Sequence, residues 1–217
     1  MIVTLTYLHI IAGVVSLIVA PIALAVFKGG YVHRLTGKIF FWCMTIIFIS
    51  ALILSAYKSV PFLFMIALFS YYSVVVGYRS VYQKAAEPKQ RVKWYDWAAV
   101  TISGLFNLGF VIWGLIHVGS GSLVYILAIG FGSGGLLVVR SQWRSFTRSH
   151  VDSRQWLYSH MGNMMGGFIA SVTAFSTQVL YFLPDAVQWI WPSAVGVPMI
   201  FIWTRLERNK ARAVRAL

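Results

Sequence analysis

The chain has 217 residues, of which 59% are hydrophobic and 11% charged, with a net charge of +13 and a mean hydropathy of +0.76. A soluble domain carries about 25% charged residues, so the composition excludes an ordinary soluble fold and points to an integral membrane protein. The basic residues fall in short loops between apolar runs, so the charge reads as membrane orientation and no nucleic-acid partner is expected.

A membrane-crossing helix needs about 20 mostly apolar residues. Uncharged runs predict seven such spans, at residues 2–27, 39–57, 60–78, 97–118, 123–139, 156–182 and 186–204. The Gly-Ser-Gly-Ser turn at Gly119–Ser122 divides the fourth from the fifth. No Lys or Arg precedes Lys28, so the charged start of a cleavable signal peptide is missing and none is expected. The lone cysteine, Cys43, lies in an apolar run and has no intramolecular partner for a disulfide.

With seven spans, the loops on one side carry 17 of the 18 basic residues, and the other side carries Lys58 alone. Cytoplasmic loops are enriched in Lys and Arg. The expected fold is therefore an all-α bundle of seven transmembrane helices with an outside N-terminus and a cytoplasmic C-terminus, in a single domain of residues 1–217. Its expected partner is a bilayer with anionic headgroups on the inner side.

The five acidic residues, Glu87, Asp96, Asp152, Asp185 and Glu207, fall in loops or at span ends. A transporter coupled to protons or sodium usually needs a carboxylate at depth, and paired-carboxylate catalysis needs two together. Neither pattern is present. The run Gly130-Phe131-Gly132-Ser133-Gly134-Gly135 lies inside a span, where it reads as a close-packing surface.

Five histidines remain. His9 and His117 belong to the outer side, and His33, His150 and His160 to the inner side. Imidazole is the usual axial ligand of haem b, and ligand sets on opposite sides suit electron transfer across a membrane. The alternative is that each imidazole is bonded to a neighbouring Ser, Thr or carbonyl. No span carries the two histidines that familiar haem-b bundles place on one helix, which counts against haem. No Ser–His–Asp or Cys–His arrangement is defensible from this order.

The stretch His160-Met161-Gly162-Asn163-Met164-Met165-Gly166-Gly167 concentrates the remaining signals. His160 and Met164 stand at i and i+4, a pairing that could ligate haem iron or copper(I), although methionines also fill gaps in bundles. Gly162, Gly166, Ala170 and Ala174 form a small-residue face suited to a helix partner. Asn107 and Asn163 are amides at depth. They read either as interhelical hydrogen bonding or as the lining of a pocket between the fourth and sixth spans. His33 and Arg34 stand together at headgroup level, where an Arg could hold phosphate or propionate, or simply serve orientation.

Four places resemble a family of uncharacterised bacterial membrane proteins with several spans. They are Leu8-His9-Ile10, the loop His33-Arg34-Leu35-Thr36-Gly37-Lys38-Ile39-Phe40 with its His-Arg-x-x-Gly motif, Asp96-Trp97, and the sixth span from His160-Met161-Gly162 through Ile169–Phe175. This chain has Phe168 where that pattern usually has Tyr, which removes one hydroxyl. The resemblance implies a multi-pass protein of the bacterial cytoplasmic (inner) membrane and leaves its activity open.

Three functions follow as expectations. The first is a redox module binding haem b through His160 and His9, with His33, His117 and Arg34 as further cofactor contacts. The second is a transporter or small-molecule binder with an interhelical pocket near Asn107, His160, Asn163 and Met164. The third is a non-catalytic subunit or assembly factor docking through the Gly162/Gly166/Ala170/Ala174 face.

Overall fold

The structure, a computed structural model, describes residues 1–85, 87, 92–149 and 152–215. His150, Lys89 and Arg91 lie outside the described residues, as do the side chains of Arg212 and Arg215. The chain is all-helical. The helices are α1 (Ile2–Ala25), α2 (Tyr31–Tyr57), α3 (Pro61–Ser80), α4 (Trp94–His117), α5 (Leu123–Thr147), α6 (Gln155–Val179) and α7 (Asp185–Arg215).

Three of the connections are short because local chemistry stops the helix before them. Gly29 turns at φ 77° after α1, a conformation open to glycine at little cost. Between α2 and α3, Ser59 adopts φ 54°, and Pro61 then opens α3, where its missing N–H costs nothing. A 3₁₀ turn, Val118–Ser120, and Gly121 at φ 75° link α4 to α5.

Helix α1 packs along α2, and α4 along α5. Helix α3 is the hub, touching α2, α4, α5 and α6, while α6 is wedged among α3, α7 and α1. One core joins Val19 and Ala20 of α1 to Phe40 and Met44 of α2 and Val74 of α3, with Met164 and Phe168 of α6 against it. A second joins Phe62, Phe110, Leu127 and Ala128, flanked by Trp113 and Trp189. A third joins Tyr72, Val76, Val100 and Phe146 under Trp97.

The outside of the bundle is as apolar as the inside. Helix α1 alone exposes Tyr7, Leu8, Ile10, Ile11, Val14 and Ile18, each at 50–63%. Continuous apolar surface of this kind is foreign to soluble monomers. Among the described residues, six of the seven helices are long and apolar enough to cross a membrane. Helix α6 is the exception. It is 25 residues long but carries Gln155, Ser159, His160, Asn163, Ser171, Thr173 and Gln178. Its three helix neighbours account for the difference, since a helix enclosed by others needs no wholly apolar surface.

Candidate functional site

The described histidines share one habit. His33 Nδ1 donates to the Ala23 carbonyl at 3.0 Å, and His160 Nδ1 donates to the Gly77 carbonyl at 2.8 Å. His117 Nδ1 donates to the Trp113 carbonyl at 2.9 Å. His9 Nδ1 lies 2.8 Å from Ser50 Oγ. The Ser50 hydroxyl is itself 2.7 Å from the Ile46 carbonyl. In neutral His33, His117 and His160 the proton is thus on Nδ1, and Nε2 keeps its lone pair.

Two of these rings meet. His33, in the first turn of α2, and His160, near the start of α6, have ring centroids 6.2 Å apart with an interplanar angle of 72°. Their anchors explain the position. Ala23 and Gly77 each lie within four residues of a helix end, on α1 and α3, where carbonyls lack intrahelical partners. Each imidazole satisfies one such carbonyl, and the rings converge where α1, α2, α3 and α6 come together.

Other groups gather at this end. Lys28 Nζ donates to the carbonyls of Ala23, at 3.1 Å, and Leu24, and lies 5.1 Å from the Trp203 ring centre on α7. Partial burial lowers the Lys28 ammonium below its ordinary pKa. Arg34 Nη1 donates to the Gly29 carbonyl at 3.1 Å. A Cβ added to Gly77 would sit 3.0 Å from Met164 Sδ, so the thioether lies against the same residue whose carbonyl holds His160.

Beside the pair runs a polar seam of which the sequence pointed to Asn163 alone. Ser159 Oγ of α6 is 2.8 Å from Ser80 Oγ of α3 and 3.3 Å from Gln142 Nε2 of α5. Asn163 Nδ2 donates to the Ser159 carbonyl at 2.9 Å. Ser80 and Gln142 are buried. Their signal was weak because serine and glutamine in apolar runs carry no motif. Arg79 and Asp96 also escaped as a pair: Nε reaches Oδ1 at 2.9 Å and Nη2 reaches Oδ2 at 3.1 Å.

The remaining predicted residues fall elsewhere. His9 lies on α1 fourteen residues before Ala23, about 21 Å along the helix at 1.5 Å per residue. His117 is exposed and stacks on Tyr125 at 5.1 Å. Asn107 is buried between α4 and α5, its Nδ2 bonded to the Ser103 carbonyl at 2.8 Å. Its Oδ1 accepts no hydrogen bond from a described residue. Both amides therefore bond back onto their own helices, one turn away, rather than across to a neighbour. In each case the carbonyl one turn back lies within reach of the amide, at 2.8 Å for Asn107 and 2.9 Å for Asn163.

The glycines sort by neighbour. Gly162 and Gly166 leave room for a Cβ, at 3.6 Å from Ile200 and 3.9 Å from Ser73. Tight contacts with α6 are at Gly77, Gly167 and Gly196, where a Cβ would come within 2.8 Å of Met164, 2.4 Å of Val74 and 2.5 Å of Ile169. In the glycine-rich run of α5, Gly132 and Gly135 press on α4, whereas Gly130 and Gly134 face open space.

Among the described residues, no group of three or more His, Cys, Asp or Glu side chains is placed to hold a metal ion. The chain matches no family model, no curated protein and no solved structure.

Proposed function

We propose that the chain is a seven-span protein of the bacterial cytoplasmic membrane, with an outside N-terminus, whose chemistry is electron transfer at a haem b held by His33 and His160. The orientation is supported by the distribution of basic residues. Counting α6 as a span keeps the basic loops on one side.

The observation that supports haem is the histidine pair. Metal–imidazole bonds run about 2.0–2.1 Å, and a ring nitrogen lies about 1.1 Å from its ring centre. Two imidazoles that shared one metal ion would have centroids no more than ~6.3 Å apart, and the 6.2 Å between His33 and His160 lies within that limit. Histidine ligands also commonly donate their other N–H to a carbonyl, which fixes tautomer and ring orientation. His33 and His160 both do so. Haem bound there would supply one-electron chemistry. Arg34, next to His33, and Lys28 and Lys38, five residues to either side, are the cations nearest in sequence for its propionates. This reading moves the cofactor from His9 and His160 to His33 and His160, and needs one haem rather than two.

The test is an absorption spectrum of the purified protein, expressed with ample haem, in oxidised and reduced states. A Soret band lost in His33→Ala and His160→Ala but kept in His9→Ala supports the assignment. No Soret band in the wild type, or one indifferent to His33 and His160, ends it.

A second reading has its own observation. Met164 lies against Gly77 beside His160, and two imidazoles with one thioether suit copper(I). Titration of copper(I) against a colorimetric chelator separates the two. Stoichiometric uptake lost in Met164→Leu would favour copper, whereas a haem spectrum unchanged by that substitution would favour iron.

A further inference from the structure

Helix α7 is fastened unevenly along its length. Far from the histidine pair it is tied to three helices. Trp189 meets Phe62 of α3 edge-on at 5.1 Å and Phe131 of α5 at 6.2 Å, and Trp191 Nε1 donates to Ser176 Oγ of α6 at 2.8 Å. Beside the pair the ties are of another kind. Lys28 Nζ of the α1–α2 turn lies 5.1 Å from the Trp203 ring centre, and Arg208 lies 4.8 Å from the ring of Tyr158 on α6. Contacts of a cation with a ring face are weak where water reaches them. Ala211 is buried at this end, so the segment is closed against the bundle.

The helix between these two regions is suited to bending. Pro192 and Pro198 lie inside α7. Each lacks the N–H that would bond the carbonyl four residues back, which opens the ladder at Gln188 and Ala194. Kinks in helices form at such prolines. Between them Gly196 presses on α6, where a Cβ would fall 2.5 Å from Ile169. Gly196 is thus a point of close contact, with firm anchors before it and light ones after it.

The lightly held segment borders the histidine site on two sides. A Cβ on Gly162, two residues after His160, would lie 3.6 Å from Ile200. Lys28 shares the Ala23 carbonyl with His33 Nδ1, so the cation on Trp203 is joined to the anchor of His33 through one oxygen. We propose that α7 after Pro198 is a gate over the His33–His160 site, hinged at Gly196–Pro198 and latched by Lys28 on Trp203. The gate regulates access to that site and rests on reading the pair as a cofactor site. A group as large as haem needs an opening of this kind, because the two rings lie where four helices converge.

The test uses the full chain in detergent, free of cofactor, in a Cys43→Ser background. Diethyl pyrocarbonate modifies an imidazole nitrogen that carries a lone pair, and its rate at His160 is read by mass spectrometry. The double variant Lys28→Cys/Trp203→Cys is joined by a thiol-specific linker that reductant removes. The joined chain should be modified at His160 at least tenfold more slowly than the same chain after reduction, with exposed His117 as the unchanged reference. In the chain without a linker, Trp203→Leu should speed modification at least threefold. Pro198→Ala, which closes the ladder at Ala194, should slow it. Phe201→Leu, a change at a ring 70% exposed, should leave it within twofold. Equal rates in the joined and reduced chains would overturn the gate. Haem uptake on the same samples separates gate from cofactor. Joining that slows both supports both readings, whereas slowed modification in a chain that takes up no haem keeps the gate and removes the haem.

Discussion

Arg79 meets Asp96 fork to fork, with both bonds at or below 3.1 Å, at the junction of α3 and α4. Asp96 is doubly committed: its Oδ2 also accepts the Lys93 N–H at 2.8 Å, closing the first turn of α4. The carboxylate side chain is 5% exposed and the guanidinium 21%. Breaking such a pair leaves a charge with little water to solvate it. Asp96→Asn should therefore cost about 3 kcal/mol, read as a lowered Tm of the detergent-purified protein. The double variant Arg79→Met/Asp96→Leu should recover part of that loss. A double variant less stable than Asp96→Asn would contradict this account.

The α4–α5 seam should be the least tolerant of a single methyl. A Cβ on Gly135 would fall 1.9 Å from Asn107 Oδ1, well inside contact distance. Gly135→Ala should cost about 1–3 kcal/mol by overpacking, and Asn107→Ala in the same chain should relieve most of it. Additive losses in that double-mutant cycle would show that the two positions are not in contact.

Substitutions at Gly77 and Gly166 should have opposite outcomes. Gly77→Ala drives a methyl into Met164 and moves the carbonyl that fixes His160. It should lower Tm and, where a haem is bound, shift or broaden the Soret band. Gly166→Ala meets only Ser73 Cβ at 3.9 Å and should change neither by more than the measurement error. A Gly166→Ala variant that falls apart on a native gel would instead indicate a partner helix on that face.

Away from the histidine pair, Ser50 of α2 is fully buried and is a hydrogen-bond partner of His9. Ser50→Ala should cost about 1 kcal/mol, the usual worth of one lost hydrogen bond, without altering the spectrum of any bound cofactor. A changed spectrum would return His9 to the cofactor site.

Helix positions were legible because apolar runs and turn residues speak locally. The predicted span 39–57 ends with α2 at Tyr57, and 60–78 overlaps nearly all of α3. The sequence underestimates helix length at the basic end, where α2 begins at Tyr31 and α5 runs on to Thr147. There, charged residues continue the helix beyond the apolar run. Spatial pairing was not legible. His33 and His160 sit on helices far apart in sequence, and only the wedging of α6 against α3 brings their rings together. Asp96 stands at a span end, as its place in the sequence predicts, but its guanidinium partner depends on where α3 stops.

Helix α6, the polar member among α1, α3 and α7, has a consequence for biogenesis. Its Ser159 and His160 find their partners on α3 and α5, which are made earlier. Emerging alone, it has too many polar groups to partition readily into hydrocarbon. Insertion should therefore be ordered, with α6 entering beside helices already in place and α7 sealing it afterwards. Transplanted singly into a reporter, residues 155–179 should insert poorly, and in chains ending at Val179 they should insert well. Efficient insertion of the isolated segment would remove the need for any such order.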